Sequence, residues 1–455
     1  MTEPTPARPH PALFTTLALL TTMPAVVSAV GAPLVPDIAG DFGVSLTAAQ
    51  WTLTVTLLAG AVSTPVIGRL AAGRRRTGFV LGGLAAVTLG GLLCTLPLAY
   101  PWFLAGRTLQ GLGYGLTPVA IAIAREAIPT EKRSNAIAIL SVTTVAGAGL
   151  GYPVAAMLAQ AWGIRVAFGA TVALALVTLV LAAVALPPSR RDRTMPVDWL
   201  GTLLLSAGTA AALLALAELT RAPGWVLAIL GLVAVGAWAA WVPWARRARH
   251  PIVDVRLAAR PVPLLAHATS ALIGVGVYLA LPLTAIVVQA DGWGLGLGVS
   301  AAGWLLVPYS LVSVAGSRVG RRLGSVVNPL MLLPIGSATY LLAFVSMTLL
   351  HANVWQLGVA MMLAGLGSGL ALAAIPGLLV RAVPPAETGS AVAFNMLVRY
   401  LGFSLGSTLA AFLLTVGGEP DEAAFVRALL GSCAIGVLTV VVSTWLAVRA
   451  RRLVW

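Results

Sequence analysis

Long runs of apolar residues dominate the chain, and short polar segments separate them. Fourteen such runs, each of about 20 residues, lie between Leu13 and Val448. A helix of that length, rising ~1.5 Å per residue, crosses the ~30 Å hydrocarbon core of a bilayer. The pattern predicts fourteen membrane-spanning helices, at residues 13–35, 48–67, 79–98, 102–123, 136–160, 166–186, 199–219, 225–244, 263–289, 299–316, 328–349, 355–380, 390–415 and 426–447.

The charged residues of the loops alternate in sign along this pattern. Arginines follow the second, fourth, sixth, eighth, tenth and twelfth runs and form the C-terminal tail. The intervening loops hold six acidic residues, Asp37, Asp41, Asp291, Glu419, Asp421 and Glu422, and only Arg165, Arg221 and Arg427 lie near that side as cations. Because cytoplasmic loops of membrane proteins carry the excess of Lys and Arg, both termini are predicted to be cytoplasmic. The net charge of +14 follows from these loops and does not indicate a nucleic-acid partner.

The composition indicates an all-α, multi-pass protein of the cell (inner or plasma) membrane. Hydrophobic residues make up 59% of the chain and charged residues 9%, with a mean hydropathy of +0.96. Lys132 is the only lysine, so the chain has no Walker loop for ATP. It also has no His-Glu-x-x-His motif and no Cys/His cluster. We therefore expect no metal, no cofactor and no enzymatic activity.

The chain repeats itself at an offset of 253 to 254 residues. Ala48-Ala-Gln-Trp51 returns as Ala301-Ala-Gly-Trp304, and Gly111-Leu-Gly-Tyr-Gly-Leu116 returns as Gly365-Leu-Gly-Ser-Gly-Leu370. Parallel six-helix repeats are typical of secondary transporters, in which two halves rock around a central site. The sequence predicts an N-terminal six-helix repeat at 1–190, a two-helix insert with a basic linker at 191–260, and a C-terminal six-helix repeat at 261–455.

Five short motifs carry a family resemblance that covers nearly the whole chain. They are Gly68–Arg76 after the second run, Arg107–Gly111 in the fourth, Gly147–Pro153 in the fifth, Asp198–Gly201 at the start of the seventh, and Pro251–Leu257 before the ninth. In this order the chain resembles the major facilitator superfamily, and within it the fourteen-helix drug:H⁺ antiporter family. The resemblance implies the major facilitator fold. It also implies export of small amphipathic or lipophilic compounds, such as drugs, antibiotics or metabolites, by alternating access in exchange for protons.

The same motifs imply residues for conformational change. Those in the loop motif are Gly68, Arg69 and Arg74, and those in the fifth run are Gly147, Gly151 and Pro153. Gly147 and Gly151 also form a small-xxx-small pattern, which lets helices approach closely, although ordinary tight packing explains it equally well. The chain departs from the family at Ala72, where the loop motif has an acidic residue, and near Val27, where the first helix has one.

Two arginines lie inside predicted spans, where an ionisable group is expensive and therefore suggests function. Arg107 and Arg399 are candidate substrate-binding residues, and Gln110 and Asn395 lie three or four residues away on the same helical faces. Further candidates for the lining of a cavity are Tyr114 and Tyr309. The alternatives are structural arginines bonded to backbone carbonyls, and polar groups that bond between helices.

A proton-coupled transporter usually needs a carboxylate or histidine that alternates between the two sides. No Asp or Glu lies clearly at mid-membrane, so the candidates are Asp37, Glu126, Glu218 and His267, each with a solvated or helix-end role as the alternative. With arginines and no central acid, the cavity is expected to favour neutral or anionic compounds.

The expected partners are a small-molecule substrate, the lipid bilayer and protons as the coupling ion. Two other functions stay open from the sequence. One is an uptake symporter or uniporter for a small organic anion. The other is a membrane sensor or scaffold that transports nothing.

Overall fold

The computed structural model of the chain is helical throughout its described part. It describes residues 11–31, 33–44, 46–71, 75–187, 198–219, 222–324, 326–384, 387–415 and 420–454. Within these ranges the chain forms α-helices and two 3₁₀-helices and no strand.

The N-terminal half contains eight α-helices and one 3₁₀-helix. They are α1 (Leu13–Gly31), α2 (Val35–Phe42), α3 (Leu46–Leu70), α4 (Arg76–Thr95), α5 (Tyr100–Gly111), a 3₁₀-helix (Leu112–Gly115), α6 (Leu116–Ala127), α7 (Thr130–Trp162) and α8 (Ile164–Ala185).

The insert and the C-terminal half follow. They comprise α9 (Trp199–Ala217), α10 (Gly224–Arg247), α11 (Val255–Ala258), α12 (Pro261–Gln289), α13 (Val299–Leu305), α14 (Val307–Leu323), a 3₁₀-helix (Pro329–Met331), α15 (Leu332–Leu349), α16 (Val354–Ala382), α17 (Thr388–Thr415) and α18 (Glu422–Val454).

Within the described residues, twelve helical stretches are long and apolar enough to cross a membrane. They coincide with twelve of the fourteen predicted runs. The other two runs, the fourth and the fifth, fall on the α5–α6 segment and on α7. The membrane-protein class and the all-α fold are thus confirmed, while the count of fourteen spans and the side on which the termini lie stay predictions.

The fourth predicted run is interrupted in its middle. The backbone tightens to a 3₁₀-helix at Leu112–Gly115, and here the chain passes very close to α3. A Cβ added at Gly111 would lie 2.7 Å from Cβ of Ala59, and one added at Gly115 would lie 2.8 Å from Cβ of Ile67. Glycine at both positions therefore allows the close approach.

The helices pack mainly within two groups. In the first half α1 packs on α7 and α4 packs on α5 and α8, whereas in the second half α12 packs on α17 and α16 packs on α14 and α15. The groups meet along two seams, one between α3 and α17 and one between α7 and α13–α14. We call them the α3/α17 seam and the α7/α14 seam.

The insert lies beside the α3/α17 seam. Its first helix, α9, contacts both α3 and α17, and α10 packs on the outside of α9. Much of α10 is uncovered, with Leu232 75% and Val235 65% exposed. An apolar helix face left open in this way fits a surface that contacts lipid.

The two halves touch near both ends of the bundle. We call the end that carries the arginine-rich loops the basic end. There, a Cβ added at Gly68 of α3 would lie 3.7 Å from Cβ of Ala393 in α17. At the opposite end Gly303 of α13 lies against Pro153 and Ala156 of α7, and Ser300 donates a hydrogen bond to Gln160. Contacts between the two halves therefore lie toward both ends of the bundle.

Candidate functional site

Five of the seven tyrosines gather where the two halves meet at mid-depth. They are Tyr114, Tyr152, Tyr278, Tyr309 and Tyr400. The Tyr114 and Tyr400 rings meet edge to face with centroids 5.0 Å apart. The hydroxyl groups of Tyr278 and of Ser28 in α1 lie 3.2 Å apart and form a hydrogen bond across the halves. We call this group the tyrosine cluster.

Arg399 of α17 lies at the edge of the tyrosine cluster. Its side chain is within electrostatic range of Tyr309 and Tyr400. Within the described residues its guanidinium has neither a hydrogen-bond acceptor nor an ion-pair partner. The residue is half-buried and lies among the aromatic side chains of the tyrosine cluster. Gly274 of α12 makes room for it, since a Cβ there would lie 3.4 Å from Cγ of Arg399.

Arg107 has different surroundings from Arg399. It is fully buried and donates hydrogen bonds to the Thr52 carbonyl (3.2 Å), the Val27 carbonyl (3.1 Å) and Oε1 of Gln110 (2.7 Å). The guanidinium also lies 5.4 Å from the centroid of the Phe168 ring. Gln110 in turn donates to Thr171 (3.0 Å). Its neighbours thus come from α1, α3 and α8, within the first half, and its Nη2 atom has no partner in the described part of the chain.

Asn395 faces α12 rather than the central space. Its amide donates to the Ala266 carbonyl (3.1 Å) and contacts Nδ1 of His267 (3.2 Å), and Ser270 donates to its carbonyl oxygen (3.2 Å). Asn395 therefore joins α17 to α12 one helical turn before Arg399. Asn395 and Arg399 were predicted to lie on one face of their helix, and both contact α12. A role of Asn395 in substrate binding stays a prediction.

The three acidic candidates lie away from the tyrosine cluster. Glu126 forms an ion pair with Arg76 (2.7 Å) at the basic end. Glu218 caps α9 at the opposite end and accepts a hydrogen bond from the Trp51 indole (3.1 Å). Asp37 lies on α2 near that same end, where partial burial raises the pKa of its carboxyl above the ordinary value. A role of any of them in proton coupling stays a prediction.

The glycines predicted to act in conformational change lie at close helix contacts. A Cβ added at Gly151 would lie 2.7 Å from Cβ of Ala29, and Gly147 lies against Thr22, so both pack α7 on α1. Pro153 lies at the α7/α14 seam, opposite Gly303. The side chain of Arg69 and the whole of Arg74 lie outside the described residues. These six roles stay predictions.

Several residues of the site were not predicted from the sequence. Tyr278 stacks on Phe403 with ring centroids 4.5 Å apart, and Tyr152 and Ser28 face the same centre. Tyr152 lies within the Gly147–Pro153 motif but gave no sign of a role at the site. No local pattern marks Tyr278 or Ser28, because these residues meet only through the packing of the two halves. The tyrosine cluster therefore presents aromatic rings and hydroxyl groups beside Arg399, a cation without a partner in the described part of the chain.

Comparison with known proteins agrees with this architecture. The model of the Major Facilitator Superfamily matches residues 17–294 and 264–454. The chain belongs to the Major Facilitator Superfamily. It is a multi-pass membrane protein of a family whose members are transporters and not enzymes.

The relatives of this transporter include multidrug resistance proteins. It is 30% identical over 397 residues to the multidrug resistance protein B homolog of Mycobacterium tuberculosis, covering 82% of the chain and 71% of that protein. It is 26% identical over 421 residues to multidrug resistance protein 3 of Bacillus subtilis, covering 90% and 80%. The sequence-based resemblance to multidrug-efflux members of the superfamily is thus confirmed.

Solved structures show the same fold at low sequence identity. The human organic anion transporter MFSD10 superposes with a TM-score of 0.70 at 13% identity, covering 97% of this chain and 100% of that one. The POT family transporter PepTSo gives a TM-score of 0.68 at 16% identity, covering 97% of this chain and 99% of that one. These likenesses show the fold alone.

Proposed function

We propose that this transporter exports small amphipathic or lipophilic compounds by alternating access, in exchange for protons, and that its centre selects neutral or anionic compounds. The multidrug resistance proteins among its relatives support drug export. The tyrosine cluster supplies flat apolar surfaces with hydroxyl groups at their edges, which suits varied aromatic compounds.

The proposal that the centre selects neutral or anionic compounds rests on Arg399. A charge inside a membrane protein costs several kcal/mol unless it is paired or hydrated. Arg107 offsets that cost through three hydrogen bonds, whereas Arg399 has no partner among the described residues. An anionic or electron-rich group of a bound compound would provide the missing partner, and the neighbouring tyrosines would stack on its rings.

We infer fourteen spans, with the α5–α6 segment and α7 as the fourth and fifth, and both termini in the cytoplasm. The two six-helix repeats would then lie at 1–190 and 261–455, with the insert at 191–260 between them. The arginines at the basic end support this orientation.

The test uses two dyes with the same ring system and opposite charge. Purified protein in liposomes is loaded with sulforhodamine B, which is net negative, or with tetramethylrhodamine ethyl ester, which is a cation, and dye flux is followed by fluorescence. We expect transport of sulforhodamine B, and a loss of about tenfold in Arg399→Gln, equivalent to ~1.4 kcal/mol of binding. Arg399→Lys should keep part of the activity because it keeps the charge.

The matched control is Arg449→Gln, the same substitution at an exposed arginine near the end of α18. It should transport like the wild type. Transport of the cation without the anion, or equal activity of Arg399→Gln and Arg449→Gln, would contradict the assignment of Arg399. Uptake of dye into intact cells expressing the protein would favour the uptake alternative.

A further inference from the structure

A second polar site lies at the basic end of the C-terminal half, apart from the tyrosine cluster. A small, partly open pocket lies between α11 with the segment that leads into it, the start of α12 and the start of α17. Most of its wall is apolar. Its polar groups are Asp254, His267, Glu387 and Ser390, and Phe394 forms part of the wall.

Two polar atoms of residues that line this pocket are buried and have no hydrogen-bond partner in the part of the chain that the structure describes. One is Nε2 of His267, a residue that is only 6% exposed, and the other is Oε2 of Glu387. Leaving a buried polar group unpaired costs ~1–3 kcal/mol, and such groups in native proteins call for an explanation. A donor and an acceptor that both border one pocket, yet do not bond each other, suggest that they act together in another state.

The hydrogen bonds on the other side of the ring define its protonation. Asn395 has two amide hydrogens, and its two acceptors are the Ala266 carbonyl and Nδ1 of His267. Nδ1 therefore accepts, and the hydrogen of the neutral imidazole is on Nε2, the buried atom that has no partner among the described residues. A second proton on this ring must go to Nδ1, where it would meet the N–H of Asn395.

The protonated ring is thus incompatible with the present orientation of Asn395. To accept from a protonated Nδ1, the amide must turn its oxygen toward the ring, and it then loses its bond to the Ala266 carbonyl. That bond joins α17 to α12 one turn from Arg399. Proton binding at His267 would therefore break the hydrogen bond between Asn395 and the Ala266 carbonyl, close to Arg399 and the tyrosine cluster.

The other groups around the ring do not compete for this role. Asp254 accepts from the backbone N–H groups of Arg256 (2.9 Å) and Leu257 (3.2 Å) and so caps α11. From α17 the ring meets the Phe394 side chain, with centroids 5.0 Å apart, and beyond it Trp241 of α10, neither of which titrates. Glu387 is the carboxylate left to balance an imidazolium.

We propose that His267, Asn395 and Glu387 form a proton-operated switch. A hydronium ion at the basic end gives a proton to Nδ1 of His267 and becomes water. The imidazolium is stabilised by the Glu387 carboxylate, which lines the same pocket, and Asn395 turns its amide and releases the Ala266 carbonyl. The reverse returns the proton to water. This rests on the proton exchange proposed above and adds the residues that convert proton binding into movement of α17 at Arg399.

The first test observes the histidine directly. Histidine side-chain NMR of the full chain in nanodiscs is recorded against pH, and the His267 signal is identified by its loss in His267→Gln. We expect the titration midpoint of His267 to move in opposite senses in Glu387→Gln, which removes a negative charge, and in Asn395→Asp, which adds one. The control Glu131→Gln, at an exposed position at the start of α7, should leave it unchanged.

The second test separates coupling from binding in liposomes. In Glu387→Gln, accumulation of sulforhodamine B driven by a pH gradient should fall about tenfold, while its exchange without a gradient stays within about twofold of the wild type. A merely structural role would lower both. Equal behaviour of Glu387→Gln and Glu131→Gln in both tests would overturn the switch alone. Wild-type transport that ignores the gradient would instead contradict the proton exchange itself.

Discussion

Two arginines inside the helix bundle differ in what surrounds them. Arg107 ties α1, α3 and α5 together through backbone carbonyls and the Gln110 side chain. Arg399 has no such bonds among the described residues and lies beside Tyr309 and Tyr400. The first arrangement stabilises the fold, whereas the second is retained at a cost in stability, as is common for functional groups.

This difference predicts opposite effects on stability. Arg107→Met removes three hydrogen bonds and leaves Gln110 without its partner, so the protein should lose roughly 1–3 kcal/mol. Arg399→Met should leave stability unchanged or raise it, because no bond is lost. Thermal unfolding in detergent, followed by tryptophan fluorescence, measures both. A larger loss in Arg399→Met than in Arg107→Met would contradict the assignments.

At the residue scale the sequence predicted which charges are buried but not what they touch. The rarity of ionisable residues in apolar runs was enough to single out Arg107, Arg399 and His267. Their partners lie far away in the chain, as in the pair of Asn395 and Ala266, and no spacing rule reaches that distance. Glu387 was missed because it reads as a residue of an exposed loop and becomes part of a pocket only when α11 covers it.

At the scale of helices, α7 contacts both halves of the bundle. One face packs on α1 through Gly147 and Gly151, and another meets α14 at Gly149, which lies directly against Ser310. Small residues on both faces let α7 lie between two neighbours at short range. Movement of one half against the other must pass through this contact.

A side chain at Gly149 should therefore obstruct transport. In Gly149→Val the new atoms collide with Ser310, and we expect export of sulforhodamine B to fall about tenfold, with membrane abundance maintained. The matched control is Gly231→Val in α10, where an added Cβ meets nothing within 4 Å. Dye efflux and abundance are measured in the same cells. Normal efflux by Gly149→Val would contradict the claim that transport needs close contact between α7 and α14 at Gly149.

The helices themselves were largely predictable, because a membrane span needs only length and apolarity. The 3₁₀ segment at Leu112–Gly115 was not predicted, although Gly111, Gly113 and Gly115 mark it in the sequence. Glycine spacing alone does not distinguish a tight helix contact from a change in helix type. The short helices α2 and α11 were missed too, since neither is long enough to give an apolar run.

At the scale of the whole molecule the internal repeat determines where function can lie. Two groups of helices with related sequences meet along two seams, and the tyrosine cluster lies between them. The repeat predicts two related groups of helices, whereas the side chains that carry the chemistry are not repeated. Arg107 has Met361 at the matching position of the second half, and Met361 accepts a weak hydrogen bond from Thr284.

The position of the insert beside the α3/α17 seam could not be predicted from the sequence. Helix α9 lies along the α3/α17 seam, and Trp51 of α3 donates to Glu218 at its end. These two residues are separated by most of the N-terminal half, and only the folded bundle brings them together. The insert therefore covers one of the two seams along which the halves meet.

The most direct measurement follows lumenal pH and sulforhodamine B together in liposomes that contain the wild-type protein, with a pH gradient imposed. The account predicts that dye and protons move in opposite directions, that each flux requires the other, and that collapsing the gradient stops accumulation of the dye. Dye movement that is indifferent to the gradient, or proton flux in the absence of dye, would contradict proton-coupled export.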